Sequence, residues 1–279
     1  MVVSLKELME EAERESFAVP AFNITDTHNL LAVVQAAEEV GSPIILQIWR
    51  GVLEDRAGLL LIKLAFGAAK ICRVPALVHL DHGESLEQIV KAIKLGFHSV
   101  MIDRSLDPYP ENLRLTRAAA EIAHMAGLPI EGEIGHVGSA ARPSTEDRLT
   151  DPDQAAEFAR ETNVDLLAVA VGTAHGIYKR RPQLDFERLK AIRSKTGLPL
   201  VLHGGSGTPC DQLRRAVELG VRKVNIATDL FVSAVEGMRR AVEREGWAIS
   251  YHRLMGEGRE AVKAKALEIM DALGSSGRT

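Results

Sequence analysis

Three copies of the dipeptide His-Gly, at His82-Gly83, His175-Gly176 and His203-Gly204, are the most chemically loaded feature of this 279-residue chain. Each follows a short apolar run, Val74–Leu80, Asp165–Val171 or Leu198–Leu202, with the branched-residue content of strands covered on both faces. The glycine after each histidine lets another group approach the backbone closely. Neutral imidazole is the commonest metal-binding side chain, and three protein ligands with one open position is the usual form of a catalytic zinc site. A single histidine of this kind reads equally well as a hydrogen-bonded core residue. Three in one structural context point to a metal.

To bring three imidazoles together, the chain needs strands that end at a common rim. Eight strand candidates are present: Ala18–Phe22, Pro43–Ile48, Ala76–Leu80, Ser99–Ile102, Pro129–Glu133, Leu166–Val171, Pro199–Leu202 and Lys223–Ile226. Helix-like segments alternate with them, among them Thr27–Val40, Leu86–Leu95, Glu111–Ala126, Pro152–Thr162 and Cys210–Leu219. Gly41, Gly96, Gly127, Gly197 and Gly220 stand as C-terminal stops. Eight such units fit an α/β fold, a (β/α)8 barrel forming one domain over residues 1–279, better than an open sheet. Val3–Ser16 reads as a helix closing the barrel floor, and Tyr251–Leu273 as a C-terminal helical extension able to pack on a neighbouring subunit. Gly135–Asp151 has little apolar content and reads as a long loop over a strand end, either a lid or an insertion without function.

The bulk composition excludes several classes. Lys+Arg number 34 against Asp+Glu 38 with no long block of one sign, so neither nucleic acid nor an acidic membrane surface is indicated as a partner. Cys72 and Cys210 are too few for a disulfide framework, and the chain opens on an acidic amphipathic segment; both suit a reducing, cytoplasmic setting. No apolar run reaches the roughly 18 residues a membrane helix needs.

In such a barrel the active site lies at the C-terminal ends of the strands. The residues delivered there are Asn23, Gln47, Asp81 with His82, Asp103, Glu133, His175, His203 and Asn225, a polar ring that a metal and a polar substrate would satisfy. Asp81 stands beside a candidate ligand, as a general acid or base or as a group orienting His82 or capping the next helix. Leu202-His203-Gly204-Gly205-Ser206-Gly207 and Val224-Asn225-Ile226-Ala227-Thr228-Asp229 are turns able to present backbone N–H groups to an anion. They follow strands seven and eight, where barrels often hold phosphate, with Ser206 and Thr228 as further donors and Lys179 as a charge or as a solvated loop residue.

These motifs, Leu80-Asp81-His82-Gly83, Glu131-Gly132-Glu133-Ile134-Gly135, Gly172-Thr173-Ala174-His175-Gly176, His203–Gly207 and Asn225–Asp229, resemble in order the successive motifs of the class II, zinc-dependent ketose-bisphosphate aldolases. Ala21-Phe22-Asn23 and Met101-Ile102-Asp103 extend the resemblance over most of the chain. It implies zinc on His82, His175 and His203, with Glu133 and Asp103 at a second or alternative metal position. Asp81 would protonate the aldehyde oxygen, and Asn225 would hold a dihydroxyacetone-phosphate unit whose enediolate the zinc stabilises. Asn23, Gln47 and Ala227 would line the substrate site. Gly176, Lys179, Gly204, Ser206 and Thr228 would bind phosphate or an accompanying Na+ or K+. A homodimer or homotetramer acting on a sugar phosphate is implied.

Two departures stand out. The family's loop glutamate is expected soon after the Glu-x-Glu-x-Gly segment, where this chain reads Val137-Gly138-Ser139-Ala140-Ala141-Arg142; the nearest acidic pair is Glu146-Asp147, and Glu146 is the substitute expected from position. After Gln47, where small hydroxyl residues are usual, the chain has Ile48-Trp49-Arg50-Gly51. Trp49 and Arg50 lean toward an atypical substrate whose aldehyde half is less phosphorylated or carries another anion. The family also contains silent members that serve as partner or chaperone subunits of active aldolases; the three histidines and Asp81 argue for chemistry instead. A lysine Schiff-base aldolase needs a lysine at a strand end, which neither Lys179 in its loop nor Lys223 at the start of its strand supplies.

Overall fold

The computed structural model describes residues 2–138, 140 and 149–279. Eight parallel strands close in sequence order into a barrel: β1 Val19–Asn23, β2 Ile44–Trp49, β3 Ala76–Gly83, β4 Ser99–Ile102, β5 Ile130–Ile134, β6 Leu166–Val169, β7 Leu200–Leu202 and β8 Val221–Ile226. Between and around them run α1 Leu5–Glu15, α2 Thr27–Val40, α3 Arg50–Glu54, α4 Arg56–Ile71, α5 Leu86–Leu95, α6 Tyr109–Met125, α7 Pro152–Thr162, α8 Phe186–Thr196, α9 Cys210–Glu218, α10 Thr228–Glu245 and α11 Tyr251–Ala272. Helix boundaries follow local chemistry. Ser4 and Glu7 form a capping box on α1, Asp26 and Asp151 cap α2 and α7 through their carboxylates, and Gly41, Gly96 and Gly197 end their helices in the left-handed conformation. Pro110 lets α6 begin two residues ahead of the expected Glu111, since its fixed φ suits a first turn.

The barrel interior is split by height. Its lower half is apolar: Val19, Ala21, Ile45, Leu77, Met101, Leu166, Ala168 and Val201 pack with Leu5, Leu8, Met9 and Ala12 of α1, which closes the floor as expected. Strand side chains on one face recur every second residue. On five of the strands, climbing by two therefore converts the same face to polar: Ala21 to Asn23, Ile45 to Gln47, Leu77 to His79 and Asp81, Met101 to Asp103, Val201 to His203. A second apolar shell between strands and helices holds the barrel from outside. The extension α11 buries Val262, Ala266, Ile269 and Met270 against its own chain, packing on α2 and α10, so that face is not left for a neighbouring subunit. Among the described residues no helix is long and apolar enough to cross a membrane.

Candidate active site

β3 supplies two neighbouring residues to one site, which regular alternation forbids. The register against β4 slips between Leu80 and Gly83, and His82 has φ +52°. This bulge with a left-handed residue turns His82 inward beside Asp81, a conformation that costs on the order of 1–3 kcal/mol outside glycine. Gly83 follows because Met101 O approaches within 2.7 Å of where a Cβ would stand. Gly204 has the same kind of reason: Ala174 O would lie 2.5 Å from its Cβ, at φ +65°.

His82, His175 and His203 each present a ring nitrogen within 4.8 Å of the others, and His82, Asp103 and Glu133 form a second such group. The imidazoles are held from behind. His203 Nε2 lies 2.8 Å from Glu131 Oε1, leaving Nδ1 3.0 Å from His82 Nε2. His82 Nδ1 in turn lies 2.7 Å from Asp103 Oδ2. Glu133 Oε2 is buried without a hydrogen-bond partner, 4.0 Å from His82 Nδ1 and 3.9 Å from His203 Nδ1. An orphaned carboxylate oxygen between imidazoles is a group that a cation would satisfy, so the donor set fits a metal.

Asp81 is buried and aimed. Asn23 Nδ2 donates to its Oδ2 at 2.8 Å, Asn225 Nδ2 to its Oδ1 at 3.3 Å, and His82 Nε2 is 3.8 Å away. Gln47 is fully buried one layer down and donates to Asn23 Oδ1 at 3.1 Å, so it positions Asn23 rather than meeting the cavity. Beneath the imidazoles lies a further polar network, absent from the sequence-derived site. Lys223 Nζ donates to Glu131 Oε2 and Asn225 Oδ1, both at 2.8 Å, with His79 and Ser99 alongside. Lys223 was expected to begin its strand, away from the site; β8 starts at Val221, and the ammonium is enclosed in the barrel, engaged by both partners. The available signal was spacing: His79/Asp81, Glu131/Glu133 and Lys223/Asn225 are polar pairs two apart in strands, hence on one face.

Charge is unevenly shared across this cluster. Burial would lower the His82 value, but Asp81, Asp103 and Glu133 outweigh it and raise it to about 10. Burial, then the Asp103 charge, pushes Glu133 up to about 8. Burial and the His82 charge take His175 down to about 3. Against their burial, Asp81 is held below the usual carboxylate range by His82 and His203, and Glu131 by Lys223. With Glu133 raised to about 8, two ionised carboxylates, Asp81 and Asp103, stand beside one protonated imidazole near neutrality, which leaves a deficit of positive charge at this spot.

Over the cluster opens a cavity of about 590 Å³ lined among others by Asn23, Asp81, His82, Asp103, His175 and His136. Gly176 after β6, Gly204 and Ser206 after β7, and Asn225, Ala227 and Thr228 at the end of β8 and the start of α10 also line it. Their amides are less available than the sequence suggested: Ser206 Oγ accepts from Ala227 N and Asp229 N at 3.1 and 3.2 Å, Gly207 N donates to Asp229 Oδ2 and Gly205 N to Asn225 O. The hydroxyls of Ser206 and Thr228, both lining the cavity, are still able to donate into it. Lys179 is exposed and does not line it. Arg50 does, but it is paired with Glu84 at 2.5 Å and sits 5.2 Å from the Trp49 ring. Glu146 lies outside the described residues.

Comparison with known proteins adds three findings. Residues 3–278 match the family model described as fructose-bisphosphate aldolase class-II. The chain is 38% identical to a fructose-bisphosphate aldolase of Geobacillus stearothermophilus (99% of this chain, 98% of the relative) and 36% identical to a sulfofructosephosphate aldolase of Alkalicoccus urumqiensis (99% and 98%). Its fold superposes on the crystal structure of the YdjI aldolase from Escherichia coli K12 with a TM-score of 0.89 at 35% identity, covering 100% of this chain and 99% of that one.

Proposed function

Because the chain belongs to the class-II fructose-bisphosphate aldolase family, we propose that it is a metal-dependent lyase splitting a phosphorylated ketose reversibly into dihydroxyacetone phosphate and an aldehyde. The observation that carries this reading is three imidazole nitrogens within 4.8 Å of one another, one of them beside a buried carboxylate held by two amides, beneath an open cavity. His82, His175 and His203 would hold zinc, with Asp103 and Glu133 offering an alternative position on the other side of His82. Bound there, zinc supplies Lewis-acid stabilisation of the charge that develops on the three-carbon fragment.

The chain's own residues do the rest. Asp81, ionised at rest, takes the proton of the substrate hydroxyl whose oxygen becomes the aldehyde carbonyl, and returns it in condensation. Asn23 and Asn225 fix both carboxylate oxygens, so the base is oriented before substrate arrives. Lys223 holds Asn225 Oδ1 and thereby turns Nδ2 toward Asp81 and the substrate. Ser206, Gly204, Gly176, Ala227 and Thr228 would receive the phosphate near the N-terminus of α10, with Na+ or K+ as the accompanying cation. On α10, Phe231, Val232 and Val235 are exposed, the first and last one turn apart, an apolar face suited to a homodimer or homotetramer.

A coupled assay for dihydroxyacetone phosphate release across a panel of phosphorylated ketoses tests the reading. Turnover of at least one is expected. Stoichiometric zinc with no turnover on any of them contradicts it and favours a partner-subunit role.

A further inference from the structure

Reversible aldol chemistry needs two proton carriers. One serves the aldehyde oxygen; the other returns a proton to the donor carbon after cleavage and removes it before condensation. The second must face the cavity, must titrate, and must be free of other duties. Among the described ionisable side chains lining the cavity, Asp81 is assigned to the oxygen, and His82 and His175 to the metal. Asp103 is bound to His82, Arg50 is paired with Glu84, and Arg104 with Asp107. His136 remains.

We propose that His136 is the carbon-side proton carrier of this site, an inference that rests on the aldolase reading above. It stands just past β5, and its Nδ1 lies 3.0 Å from Ser105 Oγ. Ser105 is buried and fixed in turn, its backbone N–H donating to Asp103 Oδ1 at 3.0 Å. The backbone around His136 is stitched to the site: Val137 N donates to Glu133 Oε1 at 3.3 Å, His175 N to Gly138 O and Ala140 N to His175 O, both at 2.8 Å. One ring nitrogen is thus anchored, and among the described residues Nε2 makes no hydrogen bond. With Nδ1–H donating to Ser105, Nε2 keeps a lone pair, on a cavity-lining imidazole able both to accept and to donate a proton. The alanines that follow, Ala140 and Ala141, cannot carry a proton.

The step balances. In cleavage, Asp81 takes the hydroxyl proton, the C–C bond breaks, and its electron pair passes to the three-carbon fragment as an enediolate. Protonated His136 then gives its Nε2 proton to that carbon, forming dihydroxyacetone phosphate and neutral imidazole; solvent restores both side chains.

Zinc-loaded protein is incubated with dihydroxyacetone phosphate in D2O, and loss of the hydroxymethyl hydrogen is followed by NMR. His136→Gln should slow exchange on the order of 100-fold or more while zinc content and affinity for dihydroxyacetone phosphate stay within about threefold. His136→Glu, which restores a base, should recover about tenfold or more of that loss. Exchange by His136→Gln within about threefold of the unaltered protein overturns the proposal. So does exchange lost in Glu146→Gln but kept in His136→Gln. Unaltered protein that neither exchanges this hydrogen nor cleaves any phosphorylated ketose overturns the aldolase reading itself, an outcome distinct because the parent protein is then inactive.

Discussion

The floor of the site and its rim are built in opposite ways. In the floor, Lys223, Glu131 and His79, with His203 above them, are wholly enclosed, and the Lys223–Glu131 pair joins the tautomer of His203 to the rotamer of Asn225. At the rim Trp49 is 49% exposed, and the Arg50–Glu84 and Arg104–Asp107 pairs face solvent. Buried charges keep their partners because losing one strands the other in a low dielectric, whereas exposed pairs are worth about 0–1 kcal/mol. On the proposed function the difference separates two properties: geometry for bond breaking would be set by the floor, and choice of the aldehyde half would fall to a rim that tolerates change.

The contrast can be broken most severely from below. Lys223→Met leaves Glu131 charged and unpaired, and should destabilise the fold by roughly 3–5 kcal/mol in denaturant unfolding. Adding Glu131→Gln, which removes the charge but keeps an oxygen for His203 Nε2–H, should recover about half of that loss. A Lys223→Met protein as stable as the parent would mean that the floor is not organised by this pair.

A pH series sharpens the comparison. Ligands must shed protons to take up a metal, and His82 is raised to about 10. Zinc affinity measured by chelator competition should therefore climb about tenfold per pH unit between roughly pH 6 and 9. Without metal the sign reverses: the raised His82 value stabilises the fold fully below its unfolded value of 6.5, and that contribution is lost as pH rises through about 10. An affinity flat across this window would show that His82 binds no competing proton.

The smallest effect belongs to the rim. Arg50→Ala should change stability by less than about 1 kcal/mol and leave zinc affinity unaltered, while shifting KM among phosphorylated ketoses that differ at the end remote from the ketone. Zinc affinity that moved with Arg50 would join the two regions into one.

Much of this was legible in the residues. The eight strands lie within three positions of where branched runs and turn residues placed them, because strands covered on both faces read as uninterrupted apolar stretches. His82, Asp81, His203 and Asn225 were legible from their position after those runs. The floor was written in the sequence too, as polar residues two apart in Glu131/Glu133 and Lys223/Asn225, although an apolar run draws the eye past them. Other features depend on tertiary contacts no local pattern encodes. The bulge that turns His82 inward is a register slip between two strands. Four amides after β7 and β8, those of Gly205, Gly207, Ala227 and Asp229, are occupied by Asn225, Asp229 and Ser206, which a glycine-rich motif read in isolation does not reveal. Lys179 is near His175 in sequence, yet its side chain is exposed outside the cavity.

On the proposed function, cleavage depends on a metal held by three histidines, and zinc titration into chelated protein tests this most directly. Release of dihydroxyacetone phosphate from a ketose that the protein turns over should be absent at the start, rise linearly with zinc, and level off at about one ion per chain, while borohydride with substrate leaves the chain unlabelled. Full cleavage by the chelated protein, or covalent labelling by borohydride, would contradict the account.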